Sequence, residues 1–405
     1  MQNDPADKKI DYRLQGRLVG HSGAAFALSV REDGKFAACG GMILPNSFLL
    51  LLANREHTGP GGTKVWDLAT FRSVQVPGTP DIRGATTYLK WIKRDDDVGE
   101  ALICGSQTGY LACWQQYDAL TKDGKTVGFK EVWCRQLNNP AQITGIAFDE
   151  ATNRLAVCHR GGVFHIYTLN AKMALKEVMM GIIGKCEPGA VAFGELHGNE
   201  RELLIFGIYC GLVYTVRGSA VSTAAEAWNL GCRISAISVD HTKGVMCISD
   251  PSTGVHLYRL SGADRELLKS LPIPARTHVG IRQVALADSG RIIVSGSDHG
   301  TVYVWNRRAG DLLAKLQVDA DQSVATVATS DIAGIPTIFA AKSCDMSGNN
   351  DIFVFQQTTK TTRRFVAQVG AMCSALVRYI VVFAAMAFVY DKVGNAAVMR
   401  YILPM

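Results

Sequence analysis

"GRIIVSGSDHGTVYVWN", Gly290 to Asn306, sets the reading of the whole chain. It holds an apolar run, a short turn of Gly, Ser, Asp and His, and an alternating strand that ends on an aromatic residue. Residues rich in Val, Ile and aromatics, bounded by turn formers, read as paired strands. Side chains alternate across a strand, so Val302 and Val304 face one way and Tyr303 and Trp305 the other. Both sets are apolar, so this strand predicts neighbours on both of its faces.

The same pattern recurs along the chain. "GEALICGSQTGYLACW", "NRLAVCHRGGVFHIY", "KGVMCISDPSTGVHLY" and "PTIFAAKSCDMSGNNDIFVF" lay over it, and "RELLIFGIYCGLVYTV" is a weaker copy. The terminal positions are Trp66, Trp114, Tyr167, Val216, Tyr258, Trp305 and Phe355. Their spacing, roughly 40 to 55 residues, is that of propeller blades. Seven units predict an all-β chain of seven four-stranded blades around an axis, in which radial stacking covers both faces of each blade.

At this point the chain resembles the WD-repeat family of β-propellers. "VGHSG", Val19 to Gly23, is similar to the family's Gly-His turn. "KVWDL", with Trp66 and Asp67, and "YVWNR", with Trp305, are similar to its Trp-Asp strand end. The resemblance covers about residues 12 to 358 and implies that an N-terminal strand completes the last blade. "DYRLQGRLV", Asp11 to Val19, is placed to do so for the unit ending at Phe355. It also implies a His, Ser/Thr, Asp and Trp hydrogen-bond chain in each blade. In the sixth unit His278, Ser295 and Trp305 fit, while His299 holds the Asp place and Asp298 lies one position early. In the first unit His21 and Trp66 fit, Cys39 replaces the Ser and Pro60 the Asp. Ring closure and packing are therefore expected to carry the stability, with such bonds adding about 1 kcal/mol each.

Composition agrees with a buried β architecture: 48% of residues are hydrophobic and 40 of the 405 are Gly. The net charge of +6 is modest and dispersed, so no nucleic-acid partner is expected. The 11 Cys never form CxxC, and Cys104, Cys158, Cys210 and Cys247 sit in apolar runs. They read as small hydrophobes in a reducing compartment, with no zinc site. The first residues, "MQNDPADKKIDYRL", are too polar for a secretory signal.

Catalytic motifs are missing from the sequence: it has no P-loop, no GxSxG and no metal-spaced His/Cys cluster. The reading is therefore non-catalytic, without cofactor, metal or small-molecule substrate. "HRGG", His159 to Gly162, reads as a turn, and "RDDDVGE", Arg94 to Glu100, as a solvated loop. A ring of this kind suits protein partners bound through its loops. The segment after Trp114, "QQYDALTKDGKTVGFKEVW", reads either as a partner-facing loop or as a long exposed hairpin. "WNRR" is similar to the Trp-Asp-x-Arg ending of propellers that dock on cullin ubiquitin ligases, which would give Arg308 a partner-binding role. The plainer reading is a solvated Arg after a strand. The two functional readings are thus an interaction scaffold and a ubiquitin-ligase substrate receptor.

Two segments break the pattern. Residues 42–58, "MILPNSFLLLLANREHT", separate two consecutive strands that an ordinary blade joins by a few residues. Loops lie on the surface and are ordinarily polar, so four consecutive Leu have no evident place there. The residues permit a translated intron. Gly41-Met42-Ile43 admits the donor-like GTATGA, Ala53-Asn54 the branch-like CTAAC, and Thr58-Gly59 the acceptor-like ACAG. Excision would keep the frame and leave "KFAACGGPGGTKVWDL".

The second segment is the C-terminal end of the chain. Residues 1–10 form a polar tail before the propeller of 11–358, and a basic linker of 359–364 follows it. Then comes an apolar helix, Phe365 to Tyr390, long enough to cross a bilayer, and a final tail of 391–405. Arg378 near its centre costs about 2.5 to 3.5 kcal/mol on insertion, against about 0.3 to 0.6 kcal/mol returned by each Leu, Ile, Val or Phe. Lys360, Arg363 and Arg364 would hold the propeller on the cytosolic side. The rival readings are an amphipathic interface helix and a mistranslated end.

Overall fold

The computed structural model describes residues 10–21, 23–41, 62–94, 100–121, 124–184, 186–217, 226–260, 265–274, 281–320, 322–342 and 350–358, with backbone alone at 119–121, 124–126 and 226. His278, the 42–58 segment and the 365–390 run lie outside these residues. The chain divides into two compact units, Met1–Gln356 and Gln357–Met405, and the second lies almost wholly outside the described residues.

Among the described residues, twenty-eight strands form seven four-stranded sheets. Six are consecutive meanders: 25–73, 86–136, 143–182, 188–229, 236–272 and 284–317, here blades 1 to 6. The seventh takes three strands from 326–357 and its outermost from the N-terminus, Tyr12–Leu18, as the sequence predicts. The propeller with N-terminal closure is therefore present. The expected C-terminal helix falls outside the described residues. Among those residues, no helix is long and apolar enough to cross a membrane.

The terminal residues of all seven units lie on the third strand of their blades. These strands are Thr63–Asp67, Tyr110–Thr121, Val163–Leu169, Leu212–Val216, Gly254–Arg259, Thr301–Asn306 and Ile352–Gln357. Trp66, Trp114, Tyr167, Val216, Tyr258, Trp305 and Phe355 are all buried, each facing the preceding blade. Seven hydrophobic clusters fill the seven seams between blades. Tyr303 and Trp305 pack against Cys247 and Leu257 of blade 5. Val302 and Val304 pack against Ile338 and Phe353 of blade 7. The two-residue period of "TVYVW" thus becomes adhesion on both sides of blade 6.

The expected hydrogen-bond chain takes a different form. Trp66 Nε1 donates to the Val19 carbonyl at 3.0 Å, just past the closing strand. Both ring nitrogens of buried His21 lack partners among the described residues, and burial pushes its pKa down to about 4. Ser295 Oγ donates to the carbonyls of Gln283 and Gly296, at 3.3 and 3.2 Å, not toward Trp305. Trp305 instead stacks on Tyr303, with centroids 5.5 Å apart. Cys39 in the Ser place of blade 1 offers only a long contact, 4.0 Å to the Gly40 carbonyl, because a thiol is a weak donor.

Asp67 caps the turn after its strand, accepting from Ala69 and Thr70 N–H at 2.8 and 2.9 Å. Asn306 does the same for Arg308 and Ala309 N–H, at 2.9 and 3.1 Å. The Asp-to-Asn change therefore keeps the turn, because either side-chain oxygen accepts from the backbone two residues on.

A second set of contacts ties the first strands of neighbouring blades at four of the seven junctions. At the start of the inner strand, one hydroxyl donates to a carbonyl of the next blade. Thr326 donates to Ala25, Thr87 to Ile143, Thr144 to Pro188 and Ser235 to Arg282, over 2.6 to 3.0 Å.

Candidate partner-binding face

In an antiparallel four-stranded meander, alternate turns fall at opposite ends. The turns joining strands one to two and three to four make one face of the ring, here the lower. The remaining turns and the blade-to-blade connections make the upper.

Among the described residues, blade 2 carries the largest departure from this frame. Its third strand runs past Trp114 to Thr121, and the outer strand returns from Gly124 to Gln136. Pairing continues from Trp114↔Glu131 to Thr121↔Gly124. The segment after Trp114 is thus a two-stranded ribbon, the hairpin of the two readings above. Its tip sequence, Lys122-Asp123-Gly124, carries a strong hairpin signal.

The root of the ribbon is locked into the seam of blades 1 and 2. Phe129 is buried edge-on to Phe36 and Trp91, with centroids 5.4 and 5.6 Å away. Its N–H donates to the Gln75 carbonyl at 2.9 Å, and Gln75 bridges Gly128. Gln116 on the ribbon accepts from Arg31 Nη1 at 2.8 Å.

Arg31 also borders a cavity of about 280 Å³ on the same face, where Lys90, Trp91, Glu100, Phe148 and Glu150 meet. Asp33 accepts from Arg31 Nε at 2.8 Å and from Nη2 at 2.6 Å, and the guanidinium lies 4.5 Å over the Phe36 ring. Glu100 Oε2 sits 2.9 Å from the same Nε, but that N–H is aimed at Asp33, so this oxygen accepts no hydrogen bond. Burial pushes the Glu100 carboxyl up; Arg31 opposes the shift, while Asp33 adds to it. Lys90 touches solvent at the mouth of this cavity, yet the surrounding protein holds its ammonium below the usual range, against the opposing pull of Glu150 and Glu32. The site offers acids and bases beside aromatic walls.

The described residues bring together no nucleophile and base. Burial pushes the Cys39, Cys104, Cys158 and Cys247 thiols up, which keeps them protonated. Two groups have metal-like spacing, Cys232 with Asp250 and His256, and Glu195 with His197 and Glu202. His256, Asp250 and Glu202, the central members of these groups, already have side-chain or backbone partners. His256 faces Thr253 Oγ1 and Ser270 Oγ at 2.8 and 3.0 Å, and Asp250 accepts from Ser252 N–H and Thr253 at 2.8 Å. Arg265 and Arg217 donate to the two oxygens of Glu202 at 2.6 and 3.0 Å. The first group is a polar cluster within blade 5, and the second ties blade 4 to Arg265 of blade 5. A polar chain within blade 6 links Asp298 to His299 at 2.9 Å and His299 to Tyr303 at 2.8 Å.

Arg308 is exposed on the lower face of blade 6, while neighbouring Arg307 is held by the Gly290 carbonyl. Cys210 departs from the sequence reading. It is exposed on an upper turn, because that turn rises out of the sheet directly after the apolar run.

The family model for the WD domain, G-beta repeat, matches residues 265–306. Those residues run from the end of blade 5 through the third strand of blade 6, so the sequence repeat is offset by one strand from the blade. No curated protein matches the chain.

Proposed function

From a chain that is a WD40-repeat domain folded as a seven-bladed propeller, we propose a non-catalytic scaffold that docks protein partners on the lower face of blades 1 to 3. Propellers of this family commonly bind proteins. The observation that supports this face is the ribbon of blade 2, whose root is fixed by Phe129 and by the bond of Arg31 to Gln116. Rigid elements that present polar surface bind with little ordering cost. The test is affinity capture with the intact chain and with a variant whose residues 119–126 are replaced by a short turn. Partners bound by the intact chain are lost from the trimmed one at equal thermal stability. Retention of the same partners by the trimmed form overturns the proposal.

Two further readings rest on specific residues. The exposed Arg308 supports a substrate-receptor role on a cullin ligase; recovery of a cullin adaptor that disappears in Arg308→Ala tests it. The apolar run of 365–390 supports a tail anchor with the propeller on the cytosolic side. Carbonate extraction of the full chain, compared with one ending before residue 360, tests that: the anchor requires that only the full chain stay in the pellet.

A further inference from the structure

On the upper face, Cys186 and Cys210 come from different segments and meet. Cys186 lies in the connection entering blade 4, and Cys210 in the turn between that blade's second and third strands. Their sulfurs are 2.9 Å apart, and both are free thiols. A disulfide bond is about 2.05 Å long, so less than about 1 Å of further approach separates contact from a bond. The backbone is shaped around the pair. A Cβ at Gly207 would collide with both sulfurs, so glycine at that position leaves the space they share. Tyr209 and Gly211, on either side of Cys210, hold φ of 67° and 70°, the left-handed region that turns this short loop back toward Cys186.

The two thiols differ in access. Cys210 is exposed, whereas Cys186 is half-buried. Burial pushes the Cys186 thiol up to about 12, and the neighbouring Cys210 adds to the shift. Attack on an external sulfur therefore falls to Cys210, the thiol that solvent and small reagents reach.

We propose that Cys186 and Cys210 form an oxidisable dithiol that reacts with low-molecular-weight disulfides to staple the entry of blade 4 to its upper turn. The reading is independent of the lower docking face. The Cys210 thiolate attacks one sulfur of the reagent RSSR; the S–S bond breaks, RS⁻ leaves, and a mixed disulfide forms on Cys210. Cys186 then loses its proton to solvent and attacks Cys210 Sγ, expelling the second RS⁻. Two protein thiols are oxidised by two electrons, and one RSSR is reduced to two RSH.

The experiment uses the full chain with glutathione disulfide, followed by alkylation under native conditions, digestion and mass spectrometry. The expected result is a Cys186–Cys210 linked peptide pair, with two fewer alkylatable thiols per chain and full reversal by a dithiol reductant. Cys186→Ser keeps the first step and loses the second, so glutathione remains on Cys210. Cys210→Ser leaves Cys186 unmodified. A wild-type chain that retains glutathione on Cys210, keeps both thiols alkylatable, or links either Cys to another position overturns the proposal.

Discussion

Glu202 of blade 4 and Arg265 of blade 5 form an ion pair at 2.6 Å, with the carboxylate side chain 0% and the guanidinium 8% exposed. The guanidinium also lies 4.8 Å over the Trp228 ring. Burial alone would raise the carboxyl pKa, but the hydrogen bonds from Arg265 and Arg217 outweigh it and hold Glu202 below the usual carboxylate range. Removing one partner of a buried pair strands the other charge, at a cost of about 3 to 5 kcal/mol. Arg265→Ala is expected to lower stability by that order in urea denaturation, since it leaves the deeply buried acid with only its exposed partners. A loss below about 1 kcal/mol would show that Arg217 and His197 suffice.

Stability is expected to fall in mild acid. His21 and His159 are buried and neutral, and burial pushes each down to about 4 from the ordinary value of about 6.5. Their folded pKa values lie below the unfolded ones, so the unfolded chain takes up protons first as pH drops. The contribution is complete above pH 6.5 and is lost as pH falls toward 4. Each histidine adds a slope of about 1.4 kcal/mol per pH unit within that window. Thermal unfolding between pH 7.5 and 4.5 reads it, and His159→Gln should flatten the dependence.

The root and the tip of the blade 2 ribbon should behave differently. Phe129 fills space between Phe36 and Trp91, so Phe129→Ala is expected to cost about 3 to 5 kcal/mol. Shortening the tip around residues 119–126 removes no packing described in the ring and should shift stability by less than about 0.5 kcal/mol. Chemical denaturation of the two variants separates a built-in ribbon from a loosely attached one.

Blade 1 pairs its second and third strands directly from Phe36↔Asp67 to Gly40↔Thr63. The 42–58 segment therefore joins strands whose register is already fixed. Deleting it, with Gly41 joined to Gly59, is expected to leave circular dichroism unchanged and the melting temperature equal or higher. Loss of cooperative unfolding in that variant would show that the leucine run belongs to the fold.

The ring was legible in the sequence because its signal is repeated seven times, each time by a buried residue on the third strand of a blade. Trp66, Trp305 and their equivalents mark one seam each. The contacts that finish the ring were not legible. Trp66 is bonded to a backbone carbonyl, and every residue has one, so the identity of Val19 carries no message. The hydroxyls of Thr87, Thr144, Ser235 and Thr326 are single letters among many Ser and Thr. Arg265 finds Glu202 63 positions away, across a seam that only the assembled ring creates. The ribbon after Trp114 looked like a loop as much as a hairpin because both its faces are largely polar, which weakens the alternation that marks a half-buried strand.

The closing strand sets a clock. Tyr12–Leu18 leaves the ribosome first, but its partner Ile352–Gln357 is made last. At about 5 to 20 residues per second, the interval is about 17 to 70 seconds. During that time the outermost strand of blade 7 has no sheet to join, while blades 1 to 6 can already stack. The half-made protein is an open arc with two raw ends, and its exposure to chaperones or to another nascent arc is written into the order of synthesis.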